Sequence, residues 1–536
     1  MMTKLIVLVF LTIPFLTKAT DPYPKNKTID IMHYLFQLEI NDSTDVVAGQ
    51  ATVTILFRAR VSEFELDLVN KNEKGKGMDV LQITEDGNPV KFTHQHNRLK
   101  IILRAIPSPG DRFSFVITYG GIPQDGLIIG KNKFGDRTFF GDNWPDRARH
   151  WLPTIDHPYD KATCEFVIIA PDYYQVIGNG QKLEESNWTK HRKVTHWSET
   201  AEIPTKVMVF GAARFAVQYI GNVDHIPVET WVYPQNLADG FSDYSIALKV
   251  LDFFHYHIGP YPYEKLANVQ STTRYGGMEN ASNIFYFENS VTGRNEDEGL
   301  MAHEIAHQWF GNSASEKDWY HIWLSEGFAT YFASLYIEYA YGHDRQVEEL
   351  RADRERVVDY FRRNAAPVID TTMTELTGLL NTNSYQKGAW VLHMLRHEIG
   401  DIDFWKGIQN YYRNYRDGNS LTTDFQHVME EASGKNLATF FDQWLWKAGH
   451  PRLSVVWSYD PKNKIMRLAV EQVQPGPFFK TSLDIGIHSG QETMDVKTVV
   501  LEGKSQNFTI SLEKRPLDVV LDPGVWLLFE GKIKAK

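Results

Sequence analysis

Two histidines and two glutamates in one stretch of this 536-residue chain have the types and spacing of a metal site. His303 and His307 stand four residues apart, so on a helix their rings leave the same face and can share one ion. Glu304 lies beside them, placed to take a proton from metal-bound water, which is the mechanical content of an H-E-x-x-H segment. After a further eighteen residues comes Glu326, an interval long enough for one helix to end and a second to bring a carboxylate back as third ligand. Three protein ligands leave a fourth position for water, the arrangement of a catalytic zinc site rather than a closed structural one.

These residues need two helices to position them. Asn295 is a candidate N-cap, Glu296, Asp297 and Glu298 suit a first turn, and Gly311 with Asn312 suits an end, so the motif is expected on a helix closing at Gly311. The second helix is expected to open near Ser325. Upstream lies Gly276-Gly277-Met278-Glu279-Asn280, in which two glycines permit close approach of another backbone and Glu279 gives that approach a charged end. The strand-like pieces 267–275 and 283–287 flank it, which puts it on or beside a sheet edge where an extended peptide could pair.

H-E-x-x-H, eighteen residues and Glu, combined with G-G-M-E-N, resembles the aminopeptidase N family of zinc peptidases, which also includes leukotriene epoxide hydrolases. The resemblance extends through GPYPYEKL (259–266), WLSEGFATY (323–331) and Tyr385-Gln386-Lys387-Gly388, the family's Y-x-K-G. It implies one zinc ion held by His303, His307 and Glu326, and Glu304 as general base. It further implies that Tyr385 donates to the oxyanion, that Glu279 binds the free α-amino group, and that Gly276, Gly277 and Met278 meet the substrate backbone. The implied reaction is removal of N-terminal residues from peptides with a free N-terminus by attack of a zinc-bound water on the first peptide bond. Three rivals share part of the pattern: an epoxide hydrolase with the same ligands, a thermolysin-like endopeptidase, and a catalytically silent binding module on the same scaffold.

One segment departs from the family. Arg149, Pro153, Asp156 and Pro158 match its pattern, but Trp144 falls where relatives place a Gln or Glu that helps hold the substrate's amino end. Indole nitrogen only donates, so Trp144 cannot accept that bond, and Asp142 and Asn143 are the neighbours that could.

The rest of the chain frames this centre. Residues 1–19 read as a secretory signal, with Lys4, an apolar run from Leu5 to Leu16, and a small-residue cleavage site at Ala19. The run is too short to span a bilayer, so a secreted or periplasmic protein with no stable membrane association is expected. Residues 20–215 carry short alternating apolar runs, with Asp86-Gly87 and Asn179-Gly180 as hairpin-turn signals. From 216 to 449 the periodicity turns helical, with helices expected over 241–257, 346–362, 384–396, 402–415, 423–432 and 437–447. Alternation returns over 450–536. The expected architecture is multidomain α+β: an N-terminal antiparallel β-domain, a zincin-like (thermolysin-like) α/β catalytic domain, and a small C-terminal β-sandwich. The long helical domain that many relatives carry beyond this point is expected to be missing. A net charge of −11 without a Lys/Arg-rich run argues against a nucleic-acid partner. The single cysteine, Cys164, excludes an intrachain disulfide and is expected to be a buried strand residue.

Overall fold

The computed structural model describes residues 20–490 and 494–536. The signal expected over residues 1–19 lies outside the described residues. Among those described, no helix is long and apolar enough to cross a membrane.

The N-terminal region is built on an eight-stranded sheet whose alternating residues make the core. In Ile29–Glu39 the side chains of Tyr34, Phe36 and Leu38 are buried, facing Val53, Ala51 and Gly49 across an antiparallel pair with Val47–Phe57. The sheet is not wholly antiparallel. Ile29–Glu39 runs parallel to Lys161–Pro171, with Tyr34 opposite Cys164, which is buried as expected. Strands more than a hundred residues apart leave no local signal of their direction, so alternation alone missed this pairing.

The two turn signals part company. Asp86 and Gly87 both have positive φ and join Gly77–Glu85 to Asn88–Pro89 as a two-residue hairpin. Asn179-Gly180 instead passes between two different sheets. Its buried Asn179 amide donates to the carbonyls of Val207 (2.9 Å) and Ala281 (2.6 Å), while Gly180 N–H donates to Ser282 Oγ (2.7 Å), a clasp on the turn following Asn280.

The central region carries a five-stranded mixed sheet in the order Ala216–Val223, Ile226–Val232, Leu266–Ser271, Asn283–Phe287, Gly277–Met278. Gly277–Met278 is therefore an edge strand, antiparallel to Asn283–Phe287 with Met278 opposite Phe285. Helices then cover the sheet and build a lobe, including Glu298–Ala306, Trp323–Tyr341, His343–Arg363, Gly388–Ile399 and Asp401–Tyr415. The expected helix over 437–447 is shorter: Ala438–Phe441 continues into a π-helical turn, Asp442–Trp446. A four-stranded and a three-stranded sheet form the C-terminal β-region.

His393 ties that last region to the helical lobe. It is fully buried, its Nε2–H donates to the Val525 carbonyl (2.9 Å), its Nδ1 sits 3.2 Å from the Tyr331 hydroxyl, and its ring stacks on Trp526. Burial pushes its pKa down to about 3. A histidine depressed in the folded state binds fewer protons there than in the unfolded chain between that value and about 6.5, so its contribution to stability is lost as pH falls through that window. Between pH 7 and pH 5 the wild type should lose about 2 kcal/mol more unfolding free energy than His393→Gln, measured by denaturant titration. Parallel pH profiles would contradict this.

Candidate active site

The helix Glu298–Ala306 carries His303 and Glu304, and His307 continues its geometry as the C-cap. The helix is shorter at both ends than expected. Asn295 lies outside it with φ near +54°, its backbone N–H donating to Asp243, because Asp243 gathers the N–H groups of Thr292, Gly293 and Asn295 into a separate turn. The second helix opens at Trp323 and presents Glu326 from its first turn.

The three ligand atoms converge. His303 Nε2 and His307 Nε2 are 3.0 Å apart, and Glu326 Oε2 lies 3.4 and 3.3 Å from them. Tetrahedral ligands about 2.0–2.1 Å from a zinc ion are separated by about 3.3 Å, so the triangle has the dimensions of three zinc ligands. Glu326 Oε2 is also buried without accepting a hydrogen bond, and one carboxylate with two imidazoles is a donor set zinc favours. The residues fit the ion.

The ligands are themselves held. His307 Nδ1 lies 3.1 Å from both the Phe310 carbonyl and Ser325 Oγ, and the Phe310 bond fixes the tautomer that leaves Nε2 free for metal. Gly311 makes this contact possible. Its φ is +107°, and a Cβ there would stand 2.0 Å from Ser325 Oγ. Gly311→Ala is thus strained in backbone and packing, and should weaken zinc binding at least about tenfold, read by chelator competition. Unchanged affinity would show that this support is dispensable.

Glu304 is 5% exposed, and its carboxyl fills the space beside Gly277: a Cβ on Gly277 would lie 2.4 Å from Glu304 Cδ. The missing side chain at 277 therefore makes room for the glutamate, a use the sequence reading did not foresee. Burial pushes the Glu304 carboxyl well up, with His307 acting against it and Glu279 and Glu326 adding to the rise. A divalent charge in the adjacent triangle would counter that push.

Glu279 follows the edge strand. It is 6% exposed, and its carboxylate Oε1 is buried without a partner. Its backbone carbonyl is pinned by two side chains beyond the motif helix, Gln308 Nε2 at 2.9 Å and Asn312 Nδ2 at 2.6 Å. Gln308 was not singled out from the sequence, and Asn312 was read only as a helix-end residue; two amides closely following the histidine motif were the available signal.

Tyr385 does not sit on a regular helix. Asn383–Lys387 forms a π-helical turn before Gly388–Ile399, and it stacks the phenol ring on His303 with centroids 5.8 Å apart. Gly388 lets this segment approach the second ligand helix at Gly327, where a Cβ would meet Gly388 backbone at 2.9 Å. Burial, then Glu326, Glu279 and Glu304, push the phenol well above its ordinary value, so it stays a donor.

Gly276, Gly277, Met278, Glu279, His303, Glu304, His307, Glu326 and Tyr385 all line one cleft of about 770 Å³. Trp144 lines it too, edge-on to Tyr275 and Trp319. Asn143 cannot substitute for the missing anchor: its amide donates to Thr205 and Met208 carbonyls and accepts from Trp151 Nε1. Asp142 is fully buried against Arg147 at 2.6 Å. Arg149 and Asp156 form a knot beneath, with N–H and Nε donating to the same carboxylate oxygen at 3.0 and 3.1 Å.

A model of the peptidase family M1 domain matches residues 243–444, and one of the peptidase M1 N-terminal domain matches residues 31–207. The chain belongs to peptidase family M1. M1 relatives include glutamyl aminopeptidase of Bos taurus, 27% identical over 390 residues, covering 69% of this chain and 40% of that one. A probable aminopeptidase 2 of Sulfurisphaera tokodaii is 29% identical over 325 residues, covering 57% and 40%. The chain thus spans about two fifths of the length of these curated relatives. In fold it is similar to an M1 zinc metallopeptidase mutant from Deinococcus radiodurans, with a TM-score of 0.67 and 22% identity over 78% of this chain and 94% of that one. It is likewise similar to Legionella pneumophila aminopeptidase A, with a TM-score of 0.81 and 17% identity over 97% and 61%.

Proposed function

We propose that this chain is a zinc-dependent aminopeptidase that removes N-terminal residues from peptides. The observation that carries this reading is the unpartnered, buried carboxylate of Glu279 beside the Gly277–Met278 edge strand, in the same cleft as the ligand triangle. A carboxylate with no cation of its own among the described residues suits a substrate's α-ammonium, and an endopeptidase has no use for it.

His303, His307 and Glu326 would hold a zinc ion, which when bound would supply Lewis acidity to a carbonyl and to a water near neutral pH. Glu304 accepts a proton from the attacking water and returns it to the departing amine. Tyr385, kept protonated by its surroundings, donates to the oxygen on which charge develops, and Gly276, Gly277 and Met278 align the substrate backbone along the edge strand. Glu279 fixes how far the chain enters, so the first peptide bond meets the base. We further propose that residues 1–19 direct export, so the enzyme works outside the cytosol.

Peptides with a free N-terminus should shorten one residue at a time, while N-acetylated copies are cleaved at least about 100-fold more slowly. Mass spectrometry of timed digests reads both. Equal cleavage of the two would favour an endopeptidase, and turnover of an epoxide with neither peptide cut would favour the hydrolase.

A further inference from the structure

We propose that Lys161 of the N-terminal sheet is a positioning residue for the amine-binding end of the cleft, acting through Asn312 on Glu279. The proposal rests on the aminopeptidase reading for Glu279.

Lys161 opens the strand Lys161–Pro171 and is almost wholly buried. Its Nζ donates to three backbone carbonyls, Asn312 at 3.0 Å, Ser313 at 2.7 Å and Gly418 at 3.1 Å, and among the described residues it has no carboxylate within ion-pair distance. An ammonium satisfied only by neutral carbonyls is costly to bury, and burial draws it down to about 7. What it secures is the connector between the two ligand helices. Residues 312 and 313 lead into Ala314–Glu316, which pairs in parallel with Gly418–Ser420, so the ammonium stands where three distant segments meet. A second buried lysine of the N-terminal region, Lys206, grips the far end of that connector through Glu316 at 2.6 Å.

The link to the site is one residue long. Asn312, whose carbonyl Lys161 holds, donates through Nδ2 to the Glu279 carbonyl at 2.6 Å. Without the ammonium, the buried carbonyls of Asn312 and Ser313 and the half-buried one of Gly418 lose this donor, and the connector must relax towards other partners. Asn312 then no longer meets Glu279 squarely, while Gln308 still holds the same carbonyl. Glu279 should shift without being released. His307 keeps its Nδ1 contacts with Phe310 and Ser325, which lie before and beyond the carbonyls that Lys161 holds in this connector, so the triangle should keep its zinc.

The test compares an amino-acid hydroxamate bearing a free amine with its N-acetyl counterpart as inhibitors of the zinc-loaded enzyme. In Lys161→Met the inhibition constant of the free-amine compound should rise about tenfold, that of the acetylated one less than about twofold, with zinc still near one equivalent. Asn312→Ala should reproduce this pattern, and the double variant should lose no more than either single one. Equal weakening of both inhibitors, loss of zinc, or additive losses would assign Lys161 a general structural role and overturn the proposal. Should Lys161→Met fail to fold, Asn312→Ala decides alone: an unchanged constant for the free-amine compound overturns it. A wild type that binds both hydroxamates alike would instead defeat the aminopeptidase reading, an outcome distinct from a wild type that discriminates and variants that do so equally well.

Discussion

Glu304→Gln should keep about one equivalent of zinc and lose at least about 100-fold in kcat, with KM changed far less. The amide preserves the shape packed beside Gly277 but cannot accept a proton, so the loss falls on chemistry rather than on folding or binding. Metal analysis and steady-state kinetics on the same preparation separate the two. A variant that turns over within about tenfold of wild type would mean that another group is the base; the other carboxylates lining the cleft are Glu279, the ligand Glu326, and Glu349 and Asp353 of the helix His343–Arg363.

The second large effect is expected at Glu279. Its Oε1 is buried and unpartnered, so Glu279→Ala removes a carboxylate beside the edge strand that is free to neutralise an α-ammonium. At the neighbouring position an indole lines the cleft, Asn143 has spent its amide on Thr205, Met208 and Trp151, and Asp142, one oxygen of which accepts from Arg147, does not line the cleft. Both KM and kcat for free-amine peptides should therefore suffer, with kcat/KM down at least about 100-fold, while the slow cleavage of acetylated peptides stays where it was. The gap between the two substrate classes closes from one side. If both classes decline together, Glu279 supports the fold of the cleft rather than recognition of the amine.

Much of this site could be read from spacing. A spacing of four from His303 to His307 put two rings on one helical face, and the interval to Glu326 gave room for a return helix, so the triangle followed from helix geometry. The edge position of Gly277–Met278 followed from the strand-like runs around it. What could not be read depends on residues distant in the chain. Gly277 looked like an invitation to a substrate backbone, yet the room it leaves is taken by Glu304 from another element. Tyr385 lies on a π-helical turn that helical periodicity does not distinguish from the helix that follows. Asn179-Gly180 carried a hairpin signal, but tertiary bonds to Val207, Ala281 and Ser282 redirected it. The parallel strand pair in the N-terminal sheet was hidden for the same reason, since direction is set by the path of the chain between the partners and not by either partner's own alternation.

The edge strand is only two residues long, and that brevity has a consequence for peptide mixtures. A guest backbone can form few ladder bonds along Gly277–Met278 before the template ends at the turn through Asn280. Downstream residues then find no continuing row of donors and acceptors on this strand to reward one sequence over another. Peptides differing in length or distal sequence should compete almost as equals, and the order in which members of a digest disappear should follow their first residue. An aminopeptidase with this edge would clear a mixed pool from its ends without needing a consensus.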